Sequence, residues 1–472
     1  MFRECPGAKG LILVGESCIF PSKDTRTTGK RISRSNAEND GIVDPRPMPG
    51  FFPCSDYPEW LEAVKKAVRR YAPDVDIVFW TYNWGSKPEG PRLDLIRSLP
   101  RDISLEVTFE MYEKRHYPNH TMVSPDYSIT FPGPGKYFTS EAETAHERGL
   151  RLYSMTNTGG MTWDCGMIPY VPVPQQWFKR FAGIHEAREK WNLSGLMDSH
   201  HYGWYPSVVC ECAKWSFWSP TPDMNELLHR IAVRDFGVKG AEAAVAAWQK
   251  WSDAIASYTP GFDDQAGPLR IGPAYPFIFH PILYPHTEQK MLYPTTPQSS
   301  VGARWLHPFY QPEHIYGHTN CGRRIHEDVG IMSRSVELWG EGVRLMDEAI
   351  RLVPEEKRRA AEQQAGVGKF FWHALRTMLG IKKWWILNKR LELEYDFEKA
   401  HGILDEMEAL LREEEQNVRE ALPLVDADSR LGWEPSMDYM ADREHLEWKL
   451  RQLDTLLNKT LPAYRKTVAL KP

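Results

Sequence analysis

Glu16, Glu110 and Asp198 are carboxylates that each stand at the carboxyl end of a short apolar run. Glu16 follows Leu11-Ile12-Leu13-Val14-Gly15, Glu110 follows Leu105-Glu106-Val107-Thr108-Phe109, and Asp198 follows Leu193-Ser194-Gly195-Leu196-Met197. Two carboxyl groups sharing one cleft can divide acid and base work, one kept protonated by an apolar setting and the other ionised. Glu16 is the first choice for the proton donor, because partial desolvation beside an apolar strand raises a carboxyl pKa toward neutrality. Glu110 is its partner as base, nucleophile or stabiliser. A buried carboxylate paired with Arg115 or Lys114 fits Glu110 equally well. Asp198 binds a hydroxyl or orients a neighbour, or else caps the turn that follows it.

Aromatic and hydrogen-bonding residues gather at the same kind of position. Trp80, Tyr82, Asn83 and Trp84 end or follow a second apolar run, and Glu113 lies just past Glu110. Asn157, Trp163 and Asp164 follow a run that ends at Met155, and His200, His201, Tyr202 and Trp204 follow Asp198. Indole and phenol faces stack on the C–H faces of a pyranose, while amides, carboxylates and imidazoles bond its hydroxyls. Joined to paired carboxylates, that is the chemistry of glycoside hydrolysis on oligosaccharides or glycoconjugates. The residues also suit a non-catalytic carbohydrate-binding protein, a degenerate relative of such an enzyme. His200-His201 with Cys210-Glu211-Cys212 lacks zinc-site spacing, and Gly133-Pro134-Gly135 and Gly159-Gly160 lack a phosphate-binding helix, so no metal and no cofactor are expected. His280, His286, His307, His314 and His318 are read as packing or sugar-contacting residues.

These residues need elements to hold them. From residue 11 to about 200, β-branched apolar runs (11–14, 76–80, 103–109, 150–155 and 193–197) alternate with helical stretches such as Trp60, Val64, Ala67 and Val68, or Trp177, Phe181, Ile184 and Ala187. Strand, loop and helix repeated in this way predict an α/β fold of the (β/α)8 TIM-barrel type with its ligand site at the strand ends. One βα unit takes about 38 residues here, so a closed barrel takes roughly 300, and about five units are visible. The expectation is a barrel incomplete at its amino end, with three units missing from this sequence or supplied by a separately encoded half; the other partner expected is a second copy of the chain, in a homo-oligomer. Beyond residue 205 the pattern turns helical: Leu227, Leu228, Ile231, Ala232 and Phe236 predict one helix and Ala244, Trp248, Trp251, Ile255 and Tyr258 another. Leu393, Phe397, Ala400, Leu404, Met407 and Leu411, and then Leu446, Leu450, Leu453 and Leu457, predict an all-α bundle. The acidic run Glu413-Glu414-Glu415 reads as a solvated helix face. The domains expected are a partial barrel over 1–220, helices with a Pro-, His- and Tyr-rich connection over 221–330, and the bundle over 331–472.

Composition bounds the reading. The 472 residues are 42% hydrophobic and 26% charged, and 58 basic against 63 acidic side chains leave a net charge of -5. Such a chain is globular, and neither disordered nor a basic nucleic-acid binder. The 18 Trp, 20 Tyr and 19 Phe are abundant, and many sit beside Gly, Pro, Asn or His. Seven cysteines are odd in number and sparse, which argues against a disulfide framework. No apolar run reaches membrane-spanning length, and Arg3, Glu4, Lys9 and Glu16 interrupt any leader, so a cytoplasmic protein with a carbohydrate substrate and no nucleic-acid or membrane partner is expected.

Several motifs carry a resemblance. Trp80-Thr81-Tyr82-Asn83-Trp84, Phe131-Pro132-Gly133-Pro134-Gly135, Thr156-Asn157-Thr158-Gly159-Gly160 with Thr162-Trp163-Asp164, Val173-Pro174-Gln175-Gln176-Trp177, and His201-Tyr202-Gly203-Trp204-Tyr205-Pro206-Ser207 resemble a group of bacterial glycoside-hydrolase-like proteins. Their barrel is similar to that of the family 20 β-N-acetylhexosaminidases. The resemblance implies a Glu acid at the fourth strand end, matched by Glu16, preceded by an Asp that orients the substrate's acetamido group. Gly15 stands in the place of that Asp. A barrel followed by a helical domain also resembles the α-glucuronidases, which implies an inverting carboxylate pair.

Overall fold

The computed structural model describes residues 1–15, 57–86, 88–124, 127–198, 205–261, 264–265, 267–279, 321–434 and 438–469. The chain is mostly helical and contains one five-stranded parallel sheet. It divides into two compact units, one made of Met1–Glu113, Gly133–Thr156 and Ala182–His200, the other of Lys114–Pro132, Asn157–Phe181 and His201–Pro472. Within the stretch expected to form the partial barrel, segments 114–132 and 157–181 therefore group with the helical residues.

The sheet unit holds β1 (Gly10–Val14), β2 (Asp76–Trp80), β3 (Ser104–Thr108), β6 (Arg151–Met155) and β7 (Leu193–Met197), side by side in that order and all parallel. Each strand falls on an expected run, because β-branched and aromatic residues fit the pleated, half-buried surface. Between them lie α1 (Tyr57–Arg69), α2 (Glu89–Ser98), α3 (Lys136–Arg148) and α4 (Pro174–Trp191), the last belonging to this unit from Ala182 on. Right-handed crossovers between neighbouring parallel strands collect such helices on one face of a sheet. Phe79 accordingly packs on Tyr57 of α1 with ring centroids 5.7 Å apart, and Phe109 on Phe138 of α3 at 4.9 Å. The opposite face carries Ile12 and Val14 on β1, 46% and 39% exposed. A full TIM barrel exceeds what the five strands show.

The helical unit opens with a hairpin that the sequence pattern did not announce, β4 (Lys114–His116) against β5 (Thr121–Val123). It continues through α5 (Val208–Ser216), α6 (Met224–Ser257), α7 (Cys321–Leu352), α8 (Arg358–Leu393) and α9 (Phe397–Ala427). A two-residue pairing of β8 (Trp433–Glu434) with β9 (Asp438–Tyr439) precedes α10 (Arg443–Thr455) and α11 (Leu461–Val468). The two helices expected between 227 and 258 form the single run α6, interrupted at Gly237, whose φ of 75° only a residue without Cβ adopts freely. Their apolar residues are buried as expected, and Trp251 of α6 stacks on Trp339 of α7 at 5.4 Å. Two expectations need correction. The heptad run from Leu393 to Leu411 crosses a helix break: Leu393 ends α8 at 81% exposure, and Asp396 starts α9 by accepting a hydrogen bond from the Lys399 amide. The run Glu413-Glu414-Glu415 is not wholly solvated, because Glu414 turns inward and accepts from Thr377 at 2.7 Å and Asn417 at 3.3 Å beside Lys449. Among the described residues no helix is long and apolar enough to cross a membrane.

Candidate functional site

Alternation along β3 places Leu105, Val107 and Phe109 toward the helices and Ser104, Glu106, Thr108 and Glu110 toward the opposite face. Strand register sets Glu106 between Trp80 of β2 and Tyr153 of β6. Glu106 is 2% exposed, and among the described residues no donor reaches its carboxyl. Burial pushes its pKa up to about 7, so the side chain holds a proton for much of its time at neutrality. Asp76, at the amino end of the same face, is treated in the opposite manner. It accepts from Tyr153 Oη at 2.6 Å and Ser104 Oγ at 2.7 Å and pairs with Arg151 at 3.2 Å. Burial works to raise its pKa, but those partners hold the carboxyl below its ordinary range. Glu110, just beyond β3, is fully buried.

The strand end of β2 is braced from inside the sheet unit. Thr81 donates to Glu141 at 2.6 Å, Arg92 pairs with the other oxygen of Glu141, and Tyr137 donates to Thr81. This buried group fixes the turn in which Asn83 takes a φ of 64° and accepts from Tyr112 Oη at 3.0 Å. Trp80 donates to Thr108 Oγ1 at 3.4 Å, and the Tyr82 ring lies 4.8 Å from its own. Trp84 is a core residue, fully buried against Tyr57 and Phe79, and its Nε1 donates to the Gly15 carbonyl at 3.3 Å. That packing explains Gly15: a Cβ there would lie 2.9 Å from Trp84 and 3.0 Å from the Trp80 carbonyl. An aspartate of the hexosaminidase kind does not fit the position. Glu113 is drawn away from the strand end, its Oε1 accepting from the Lys136 amide at the first turn of α3.

Other expected residues lie in the helical unit. Asp164 is 1% exposed, and its carboxylate accepts from Ser128 Oγ at 2.8 Å, the Ile129 amide at 2.6 Å and Thr162 Oγ1 at 2.9 Å. Arg180 completes that knot by donating to the carbonyls of Ser128, Phe131 and Pro132. Trp163 is held between the Tyr127 ring, at 4.3 Å, and the Arg270 guanidinium, also at 4.3 Å. Asn157 has a φ of 52°, is 2% exposed, and its Nδ2 finds no acceptor among the described residues. Asp198 is half-buried at the end of β7 in the sheet unit. Glu16, His200, His201, Tyr202 and Trp204 lie outside the described residues. The sheet unit thus places Trp80, Tyr82 and Asn83 at the end of β2 and Glu110 just beyond β3. Glu106 escaped the sequence reading, although the same alternation that marks Glu110 also marks a residue four positions earlier.

A second set of titratable groups lies deep in the helical unit. Lys382, fully buried, sits 2.9 Å from Asp264 and 3.6 Å from Asp328. His120 bridges Glu327 at 2.6 Å and Asp328 at 3.1 Å, and Tyr258 donates to Asp264 at 2.5 Å. Burial works to raise the pKa of Asp328, and the charges of Lys382, Arg324 and His120 more than offset it. Every group in this set has an opposite charge or a hydrogen-bond partner.

No family model matches the sequence, and no curated protein matches it. Among solved structures the chain is similar to a GH138 enzyme targeting pectin rhamnogalacturonan II. The identity is 10% and the TM-score 0.45, over 88% of this chain and 52% of that one. The chain therefore spans about half the length of that enzyme. The neighbour is of family 138 and not of the family 20 type that the sequence motifs imply.

Proposed function

We propose that the sheet unit is the catalytic part of a glycoside hydrolase working by carboxylate acid/base chemistry. The observation that carries the reading is the placement of Glu106 and Glu110 on the face of β3 opposite Leu105, Val107 and Phe109, with Glu106 in register with Trp80. Glu106, buried with no donor among the described residues, costs stability, and such costs concentrate where a group has chemical work. In this reading Glu110 is the base or nucleophile, and Glu106 supplies an uncharged, proton-bearing carboxyl beneath it. Glu16, next in sequence after Gly15 at the end of β1, is the proposed proton donor. The closeness of Gly15 to Trp84 argues against the acetamido-assisted alternative. A (β/α)8 barrel is the proposed frame, supported by the parallel order of the five strands and by the exposed Ile12 and Val14 on the face a barrel would enclose.

The test is a reducing-end assay of the full chain on neutral and acidic oligosaccharides, run beside Glu16→Gln and Glu110→Gln. Each variant is expected to melt like the wild type and to lose about 10²–10⁴ of turnover. Near-normal turnover in both overturns the assignment of the carboxylates. Sugar binding without hydrolysis by the wild type overturns catalysis in favour of a carbohydrate-binding protein.

A further inference from the structure

The helical unit presents an aromatic surface that the catalytic reading does not use. Trp215, in the last turn of α5, and Trp218, just past it, are 38% and 61% exposed. Their rings lie 5.4 Å apart and 31° from parallel, a tilted and offset contact that leaves part of each indole open to solvent. Indoles are seldom left wet in pairs, since each can bury roughly 150–250 Å². Beside Trp215, between α5 and the start of α6, opens a cavity of about 290 Å³. That is close to the lower end of small-ligand pockets, about 300 Å³. Leu227 and Ile231, one helical turn apart on α6, give it an apolar floor.

The rim decides what the cavity can hold. Both oxygens of Glu211 accept from Arg234 Nη1, at 2.7 and 2.8 Å, while the other Arg234 nitrogens donate to Asp235; Glu226 pairs with Arg230, and the carboxylate of Asp223 caps α6. Three carboxylates against two guanidiniums leave a small excess of negative charge, which disfavours uronates, phosphates and sulfates. The paired carboxylates keep lone pairs that accept from hydroxyl groups, and Arg230 keeps donors. A ligand with apolar C–H faces for the indoles and many uncharged hydroxyls for the rim satisfies both halves of the site. A protein partner of ordinary size needs about 800 Å² on each side, far more than this one cavity and ring pair offer.

We propose that Trp215, Trp218 and the Glu211–Arg234 and Glu226–Arg230 pairs form a binding site for a neutral oligosaccharide of two or three sugar units. The site belongs to the helical unit and the proposed catalytic carboxylates to the sheet unit, and either assignment can fail without the other. The probes are soluble neutral oligosaccharides of glucan, mannan, xylan and galactan type, with oligogalacturonate as the acidic comparison, titrated calorimetrically into the full chain. At least one neutral series is expected to bind, and Trp218→Ala to weaken it by about tenfold or more. Because Trp218 is exposed, that variant is expected to keep the wild-type melting temperature, and Trp215→Ala with Trp218→Ala to abolish binding. Absence of binding across the neutral series, preference for the galacturonate, or affinity untouched by Trp218→Ala overturns the proposal.

Discussion

The two units handle buried charge in opposite ways. In the helical unit Lys382, Asp264, Asp328, His120 and Glu327 lie buried or nearly so, and each meets a partner of opposite charge. Lys449 and Glu414 repeat the arrangement 3.5 Å apart, with Thr377 and Asn417 filling the remaining bonds. In the sheet unit Glu141 and Asp76 are likewise satisfied, but no donor among the described residues reaches Glu106, and burial alone sets its pKa. A saturated cluster fixes how segments far apart in sequence meet, as Asp264, in a short helical stretch, and Asp328 of α7 meet on Lys382 of α8. A carboxyl without donors fixes nothing. It keeps its proton-binding capacity free, and this separates a structural carboxylate from a candidate for acid/base work.

The largest effect expected from breaking this contrast is on Lys382. Replacing it with methionine preserves bulk, leaves buried Asp264 without its cation and leaves Asp328 with only Arg324 and His120. Removing one partner from a buried ionic group costs about 3–5 kcal/mol. Lys382→Met is therefore expected to lower the urea midpoint of the helical unit sharply. A variant as stable as the wild type would mean that the aspartates take up protons at little cost.

A comparable effect, with a distinctive sign, is expected from pH. An unfolded glutamate titrates near 4.5 and folded Glu106 near 7, so within that window the folded protein binds more protons. Stability then falls as pH rises from 4.5 to 7, by roughly 3 kcal/mol in all. His373 in the helical unit behaves in the mirror sense. Burial pushes its pKa from 6.5 down to about 4, so the unfolded chain binds more protons and stability falls as pH drops through that range. The two windows overlap between pH 4.5 and 6.5 with opposite slopes, so scanning calorimetry is expected to show their contributions nearly cancelling there in the wild type. Glu106→Gln should unmask the His373 slope, with stability rising with pH, and His373→Gln the Glu106 slope, with stability falling as pH rises. A Glu106→Gln profile identical to the wild type sinks the claim that Glu106 is held protonated.

The same contrast explains what could be read from the sequence. The five strands were legible because Leu11–Val14, Ile77–Trp80 and their counterparts are apolar, β-branched and bounded by polar turns, and this local pattern suffices for a buried parallel strand. The position of Trp80 and Glu110 at strand ends follows from the same pattern. The partners of individual side chains were not. Asp164 is engaged by Ser128 and Ile129 from a segment some 35 residues earlier, and the donor that Glu113 meets is the first turn of a helix 23 residues on. Glu106 looks like any strand residue until register sets it between Trp80 and Tyr153. Glu414 looks solvated until Lys449 arrives from α10. Period marks the element and its face, but it carries no record of which distant donor meets a given carboxylate.

The smallest expected effect concerns such a distant meeting. Glu113 accepts from the Lys136 amide at the start of α3, where Gly135 offers no side-chain cap of its own. Asp396 in the helical unit does the same work locally, accepting from Lys399 at 3.0 Å. An N-terminal cap is worth about 1 kcal/mol whichever way the chain delivers it, provided the acceptor is held in place. Glu113→Ala and Asp396→Ala are each expected to cost about that much in thermal denaturation. Glu113→Gln keeps an acceptor oxygen and loses only the interaction of charge with the helix dipole, about 0.3–1 kcal/mol. Equal costs for the two alanine variants would show that β3 and the loop after it hold Glu113 as firmly as a local cap is held. A negligible cost for Glu113→Ala would return Glu113 from structural acceptor to the pool of side chains free to meet a sugar.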